Sequence, residues 1–122
     1  MNCIFCNIDK NRIIKENETA VAIYDNFPVN KGHMLIIPKR HIDNYFETEE
    51  SDREGLWHLV HECKDFLDEE FKPDGYNVGI NCGHSAGQTV MHLHIHLIPR
   101  YNGDIENPRG GVRGVIPEKR IY

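Results

Sequence analysis

The sequence predicts an α+β fold, a mostly antiparallel sheet with one long helix. Three observations carry that expectation. Short β-rich runs flank a single long amphipathic stretch. Turns rich in Asn, Pro and Gly separate most of those runs. Connections that short suit antiparallel neighbours, because a parallel pair needs a long crossover.

The elements follow in order. Thr19 to Tyr24 reads as a strand, with a partner at Ile13 to Lys15. Asp25 to Gly32 is a loop. His33 to Ile37 is the next strand, stopped by Pro38, which has no N–H to donate. Leu56, Val60, Cys63, Leu67 and Phe71 recur at helical spacing, so a helix covers them. Thr48 or Ser51 can cap it, and Ser51 to Glu54 has the capping-box pattern. Lys72-Pro73-Asp74-Gly75 ends it. Tyr76 to Asn81 is a strand, Cys82 to Gly87 a turn, and Met91 to Ile98 the last strand. Residues 1–100 form the domain and 101–122 an extended C-terminal arm of it.

The chain has 122 residues, enough for one domain with a core that needs no disulfide staples. It lacks a secretory leader and an apolar run long enough to span a bilayer, so the expectation is a cytoplasmic protein away from membranes. The net charge is −5, which disfavours a dedicated nucleic-acid surface. Residues 100–122 nevertheless carry +2 and the remainder −7. Cys63 and Cys82 stand far apart and are expected as small buried apolar residues. His58 and His61 are expected on the helix surface. Cys3 and Cys6 form a C-x-x-C pair, which in a reducing compartment suggests metal or redox chemistry. No strand precedes Cys3, which argues against a thioredoxin-like role. A zinc site needs two more ligands, and Cys₂His₂ is the natural completion, with His41 and His92 as candidates.

The informative segment is Gly87-Gln88-Thr89-Val90-Met91-His92-Leu93-His94-Ile95-His96-Leu97-Ile98. In one strand, His92, His94 and His96 would share a face, with rings starting roughly 7 Å apart. Three aligned imidazoles could bind a metal together. They could instead attack phosphorus, since neutral imidazole is a nucleophile near pH 7 and a neighbour can stabilise phosphate charge. Backbone N–H groups of Gly87, Gln88 and Thr89 could hold phosphate oxygens.

This H-x-H-x-H run, preceded by Ala86-Gly87-Gln88-Thr89, resembles the signature of the histidine triad (HIT) superfamily. Asp25-x-x-Pro28, Gly32-His33, Ile36-Ile37-Pro38-Lys39-x-His41 and Gly75 to Asn81 resemble its other segments, so the likeness covers roughly residues 3–100. It implies a five-stranded antiparallel sheet, one long helix and a short N-terminal helix, in a homodimer with a joined ten-stranded sheet. It also implies a hydrolase or transferase acting on the α-phosphate of a purine nucleotide. Its substrate would be of the diadenosine polyphosphate type, or of the adenosine phosphoramidate and aminoacyl-adenylate type. His94 would be the nucleophile and form a nucleotidyl-histidine. His96 would contact leaving-group or phosphate oxygens, as would Gln88 and Thr89 the phosphate. Asp25 would hold the ribose, Asn81 a polar part of the nucleotide, and Ile4, Phe5 and Ile8 the base. His33 lies near the site, and His84 is a candidate leaving-group contact. By the same resemblance, one structural zinc per chain would take Cys3, Cys6, His41 and His92. Arg109 or Arg113 is expected to help hold phosphates. The alternatives are a nucleotide-binding dimer with little turnover and a three-histidine metal hydrolase.

Overall fold

A computed structural model describes residues 3–122. Five antiparallel strands form one sheet: β1 (Ile13–Glu16), β2 (Ala20–Tyr24), β3 (Met34–Pro38), β4 (Gly75–Ile80) and β5 (Ile95–Arg100), in the order β1-β2-β3-β5-β4. One helix, α1 (Glu50–Phe71), crosses between β3 and β4. No helix among the described residues is long and apolar enough to cross a membrane. The short N-terminal helix is a single 3₁₀ turn, Lys10–Arg12, preceded by a turn over residues 4–6.

The period-3.6 pattern of α1 becomes its buried face. Leu56, Leu59, Val60, Cys63 and Leu67 pack on Ala20, Ala22, Met34, Ile36, Leu93, Ile95 and Leu97. Burying each large aliphatic side chain here contributes about 1.5–3 kcal/mol. Val21, Ile23, Leu35 and Ile37 project from the opposite sheet face, where Phe5, Ile8 and Ile13 cover them. Cys63 is fully buried as expected, and burial pushes its thiol up to about 12. Cys82 is only half-buried, in the loop after β4. His58 and His61 lie exposed on α1.

The last strand is shorter than its apolar alternation suggested. β5 starts at Ile95, and its pairing with β3 ends at Ile36↔Ile95. Pro38 closes β3, and Lys39 N–H turns to the Thr19 carbonyl at 2.8 Å. No donor continues the ladder there. Residues 91–94 therefore leave the sheet, and Leu93 N–H goes to the Ile42 carbonyl at 2.7 Å instead.

The start of α1 also differs. Thr48 closes a separate 3₁₀ turn, Tyr45–Glu47, and Ser51 lies inside the helix. The box is built two residues earlier: Asp52 accepts the Glu49 N–H at 2.9 Å and the Arg40 guanidinium at 2.6 Å. Arg40 and that N–H hold the Asp52 carboxyl below its ordinary value, against the opposing effect of its burial.

Residues 101–122 are not an extended arm. They fold into two 3₁₀ turns, Gly111–Val115 and Pro117–Lys119. Asp104 anchors them by bonds to Arg100, to the Tyr101 N–H and to Asn30 at 2.7 Å. The guanidinium groups of Arg109 and Arg113 lie 4.8 and 4.7 Å from the Tyr122 ring centre.

Asp52→Ala should lower the unfolding free energy by about 2 kcal/mol, because it orphans a cap N–H and removes a charge-assisted bond. Ser51→Ala should change it by less than about 0.5 kcal/mol. Urea denaturation of both variants checks which residue caps the helix.

Candidate active site

The three triad histidines lie on one side of the chain, as the alternation predicts: Leu93, Ile95 and Leu97 enter the core under α1, while Phe5, which covers the other sheet face, meets the rings of both His92 and His94. His92 lies before β5, fully buried, and its Nε2–H donates to the Pro38 carbonyl at 2.8 Å. Its Nδ1 lies 3.4 Å from Cys3 Sγ and 3.6 Å from Cys6 Sγ. The His94 and His96 ring centres lie 5.1 Å apart. His92 belongs to one ligand cluster and His96 to another. The three imidazoles do not converge on one point, which overturns the three-histidine metal alternative.

Hydrogen-bond partners fix the tautomers. The His94 Nδ1 lies 2.9 Å from the His92 carbonyl oxygen, an obligate acceptor, so Nδ1 carries the proton and Nε2 presents a lone pair. His33, almost completely buried, accepts the Val29 N–H at Nδ1 (3.0 Å). Its Nε2–H then donates to His96 Nδ1 at 3.0 Å, with Asp25 Oδ2 3.5 Å from the same nitrogen. His96 consequently carries its proton on Nε2. Burial pushes His96 down to about 4, with His94 and His33 adding repulsion. Burial also lowers His33, and Asp25 opposes that shift. The site therefore sets Nε2 of His94, the nitrogen its Nδ1 bond leaves open, beside the Nε2–H of a neutral His96.

A cavity of about 340 Å³ opens at these rings. It brings together Ile4, Phe5, Asp25, Asn81, Gly87, Thr89, His94 and His96. Phe5 meets the His94 ring edge-on at 5.1 Å. Two expected members stay out. Ile8 packs into the core beneath Phe5. Gln88 is buried, with its amide donating to the Asp43 and Val90 carbonyls and its oxygen accepting the Gly83 N–H. Even its backbone N–H is taken, by the Gly83 carbonyl at 3.1 Å. Gln88 thus shapes the loop that presents Gly87 and Thr89. His84 lies exposed in the 3₁₀ turn His84–Ala86, outside the lining.

Sequence reasoning missed Arg12, Asn26 and Leu35 in this cavity. Arg12 sits in a turn that no pattern marked, and the loop from Asp25 gave no sign that Asn26 faces the site. It also missed a second cavity, about 630 Å³, sharing Asp25, Asn81 and His96. That one is walled by Val29, Val78, Ile98, Val112 and Val115, and no Lys or Arg lines it. Arg109 and Arg113 line neither cavity.

The second cluster is Cys3, Cys6, His41 and His92, whose ligand atoms lie within 4.8 Å of one another. Cys6 Sγ is 3.2 Å from His41 Nδ1. A tetrahedral zinc with ordinary Zn–S and Zn–N bonds sets its ligand atoms about 3.4–3.8 Å apart. Both imidazoles turn Nδ1 inward and give Nε2–H to an outer acceptor, Asp43 for His41 and the Pro38 carbonyl for His92. Such outer bonds orient metal-binding histidines. The donor set fits a structural zinc.

Comparison with known proteins agrees with this arrangement. The chain matches the HIT domain over residues 7–103. A Bacillus subtilis protein named Protein hit is 41% identical over 104 residues, 82% of this chain and 72% of that one. An adenosine 5'-monophosphoramidase of Schizosaccharomyces pombe is 39% identical over 106 residues (84% and 77% of the two chains). A bis(5'-adenosyl)-triphosphatase of Dictyostelium discoideum is 35% identical over 100 residues (82% and 67%). Among solved structures, a zinc-bound histidine triad family protein from Mycobacterium smegmatis superposes with a TM-score of 0.79. It shares 35% identity, and the alignment covers 88% of this chain and 81% of that one.

The lowered histidines predict an acid-sensitive fold. Between about pH 6.5 and about 4 the unfolded chain binds more protons than the native one at His33 and His96, so stability rises with pH there. The melting temperature should fall on acidification through this window. His96→Asn should flatten that part of the slope, measured by calorimetry across pH.

Proposed function

The chain belongs to the HIT domain family, and from that premise we propose that it hydrolyses a purine nucleotide derivative at its α-phosphate. The observation that carries the reading is the His94 imidazole, locked through Nδ1 to the His92 carbonyl with Nε2 free beside the cavity. In the proposed reaction, Nε2 of His94 attacks the α-phosphorus. The N–P bond forms as the bond to the leaving group breaks, giving a nucleotidyl-histidine. His96 Nε2–H hydrogen-bonds the oxygen or nitrogen that gains charge. Water then attacks phosphorus and releases His94, so the net reaction adds water across the cleaved bond. Asp25 accepts ribose hydroxyls, Phe5 and Ile4 cover the base, and Thr89 with the Gly87 backbone faces the phosphate.

The related phosphoramidase and triphosphatase span two leaving-group classes. The larger cavity beside His96, apolar and without a cationic side chain, favours a phosphoramidate with an apolar amine over a polyphosphate. Zinc at Cys3, Cys6, His41 and His92 is structural in this reading. When bound, it supplies a closed cross-link between the N-terminus and the catalytic segment. β4 is an edge strand, paired only with β5, which supports a two-fold joined sheet in a homodimer. A reducing cytoplasm, where thiols stay reduced and can ligate zinc, is the proposed location.

His94→Ala should reduce turnover about 10⁴-fold or more while the affinity for the nucleoside monophosphate product is kept. Single-turnover kinetics on an adenosine phosphoramidate reads the rate. Retention of a tenth of the wild-type rate sinks the covalent route. Elemental analysis should give one zinc per chain. Cys3→Ser with Cys6→Ser should abolish it and lower the melting temperature, whereas zinc that survives the double substitution refutes the ligand set.

A further inference from the structure

Arg12 is the one Lys or Arg in the lining of the cavity beside His94. It sits at the end of the 3₁₀ turn Lys10–Arg12, half-buried, and reaches toward the loop after β2. One of its terminal nitrogens, Nη2, donates to the Tyr24 carbonyl at 3.1 Å and to Asn26 Oδ1 at 3.0 Å. Both hydrogens of that nitrogen are thereby used. Nη1 and Nε keep three N–H donors without a protein partner among the described residues. Asn26 has its amide oxygen turned to Arg12, so its NH₂ group also faces outward as a donor.

Around Arg12 the hydrogen-bonding groups left over are mainly donors, with the Asp25 carboxylate beside them on the same cavity wall. Guanidinium accepts nothing, and the carbonyl of Tyr24 and the amide oxygen of Asn26 are engaged. The neighbouring wall is Ile4, Phe5 and Leu35, apolar surface suited to the faces of a flat ring. A ligand that satisfies this end offers two adjacent acceptors on one edge of an aromatic ring.

We propose that Arg12, steadied by Asn26, reads the edge of the base and selects guanine over adenine. Guanine presents N7 and O6, two acceptors at the spacing of a guanidinium fork. Adenine presents N7 beside an amino group, so a donor would face donors and stay unsatisfied. The proposal rests on the nucleotide-site reading above. With phosphate at His94 and ribose at Asp25, the base continues past Asp25 toward its sequence neighbour Asn26 and the Arg12 that holds it.

Equilibrium binding of GMP and AMP, measured by titration calorimetry, tests this without turnover. The unmodified protein should bind GMP roughly 5- to 150-fold more tightly than AMP, the range one bidentate pair gives. Arg12→Met should bring GMP to the AMP level while AMP, which can use only N7, loses much less, and an unchanged circular dichroism spectrum shows that the variant is folded. Arg12→Lys keeps the charge but loses the fork, so it should lose the preference too. Equal affinity of the unmodified protein for GMP and AMP overturns the proposal. So does an Arg12→Met variant that weakens both nucleotides alike, because Arg12 would then hold phosphate or structure. A protein that binds neither nucleotide overturns the nucleotide-site reading itself, and the base selection with it.

Discussion

The site depends on how His92 is held. Its Nε2–H is spent on the Pro38 carbonyl, its Nδ1 on the cysteine cluster, and its backbone oxygen on the His94 Nδ1–H. The first two contacts fix the position of the residue. The third fixes which nitrogen of His94 is free. A single hydrogen bond of this kind is worth about 1 kcal/mol net, but its larger effect here is to choose a tautomer. The N-terminal C-x-x-C segment is tied into the catalytic geometry through this one residue.

A second chain of bonds sets the other half of the site. Val29 N–H fixes His33, His33 fixes His96, and Asp25 closes the series. The sheet makes this possible. Leu35 pairs with His96 in the β3–β5 ladder, and His33 immediately precedes β3. Gly32 stands before it with φ +90°, where an added Cβ would press on Phe71, Leu67 and Pro99 at 3.1–3.2 Å. A residue with a side chain there would disturb both α1 packing and the placement of His33. The helix, though remote from the chemistry, thus shares a boundary with it.

The C-terminal residues contribute in an unexpected way. The positive charge of that segment suggested phosphate contacts, but Arg109 and Arg113 are spent on the Tyr122 ring. The segment instead contributes Val112 and Val115, which wall the cavity next to His96. Asp104 makes that possible by joining the segment to Arg100 and Asn30.

Much was legible in the amino-acid order alone. The α1 stripe from Leu56 to Leu67, the breaker at Lys72-Pro73, the strand at Ala20–Tyr24 and the spacing of Cys3 and Cys6 depend on local periodicity and turn chemistry. These survive folding because burial of one face rewards the same period that the sequence carries. Tertiary structure alone decided the rest. Alternation put His92, His94 and His96 on one side of the chain, but Pro38 in a neighbouring strand cut the ladder at Ile95, so of the three only His96 lies in β5 and His92 meets the cysteine cluster. Gln88 resembled a phosphate contact until Asp43, from a distant loop, took its amide. Arg12 carried no signal because its role comes from Tyr24 and Asn26 meeting it across the turn. A strand's period is a property of its own residues, whereas a side chain's free hydrogen-bonding groups depend on partners that are far away in the chain and adjacent only in the fold.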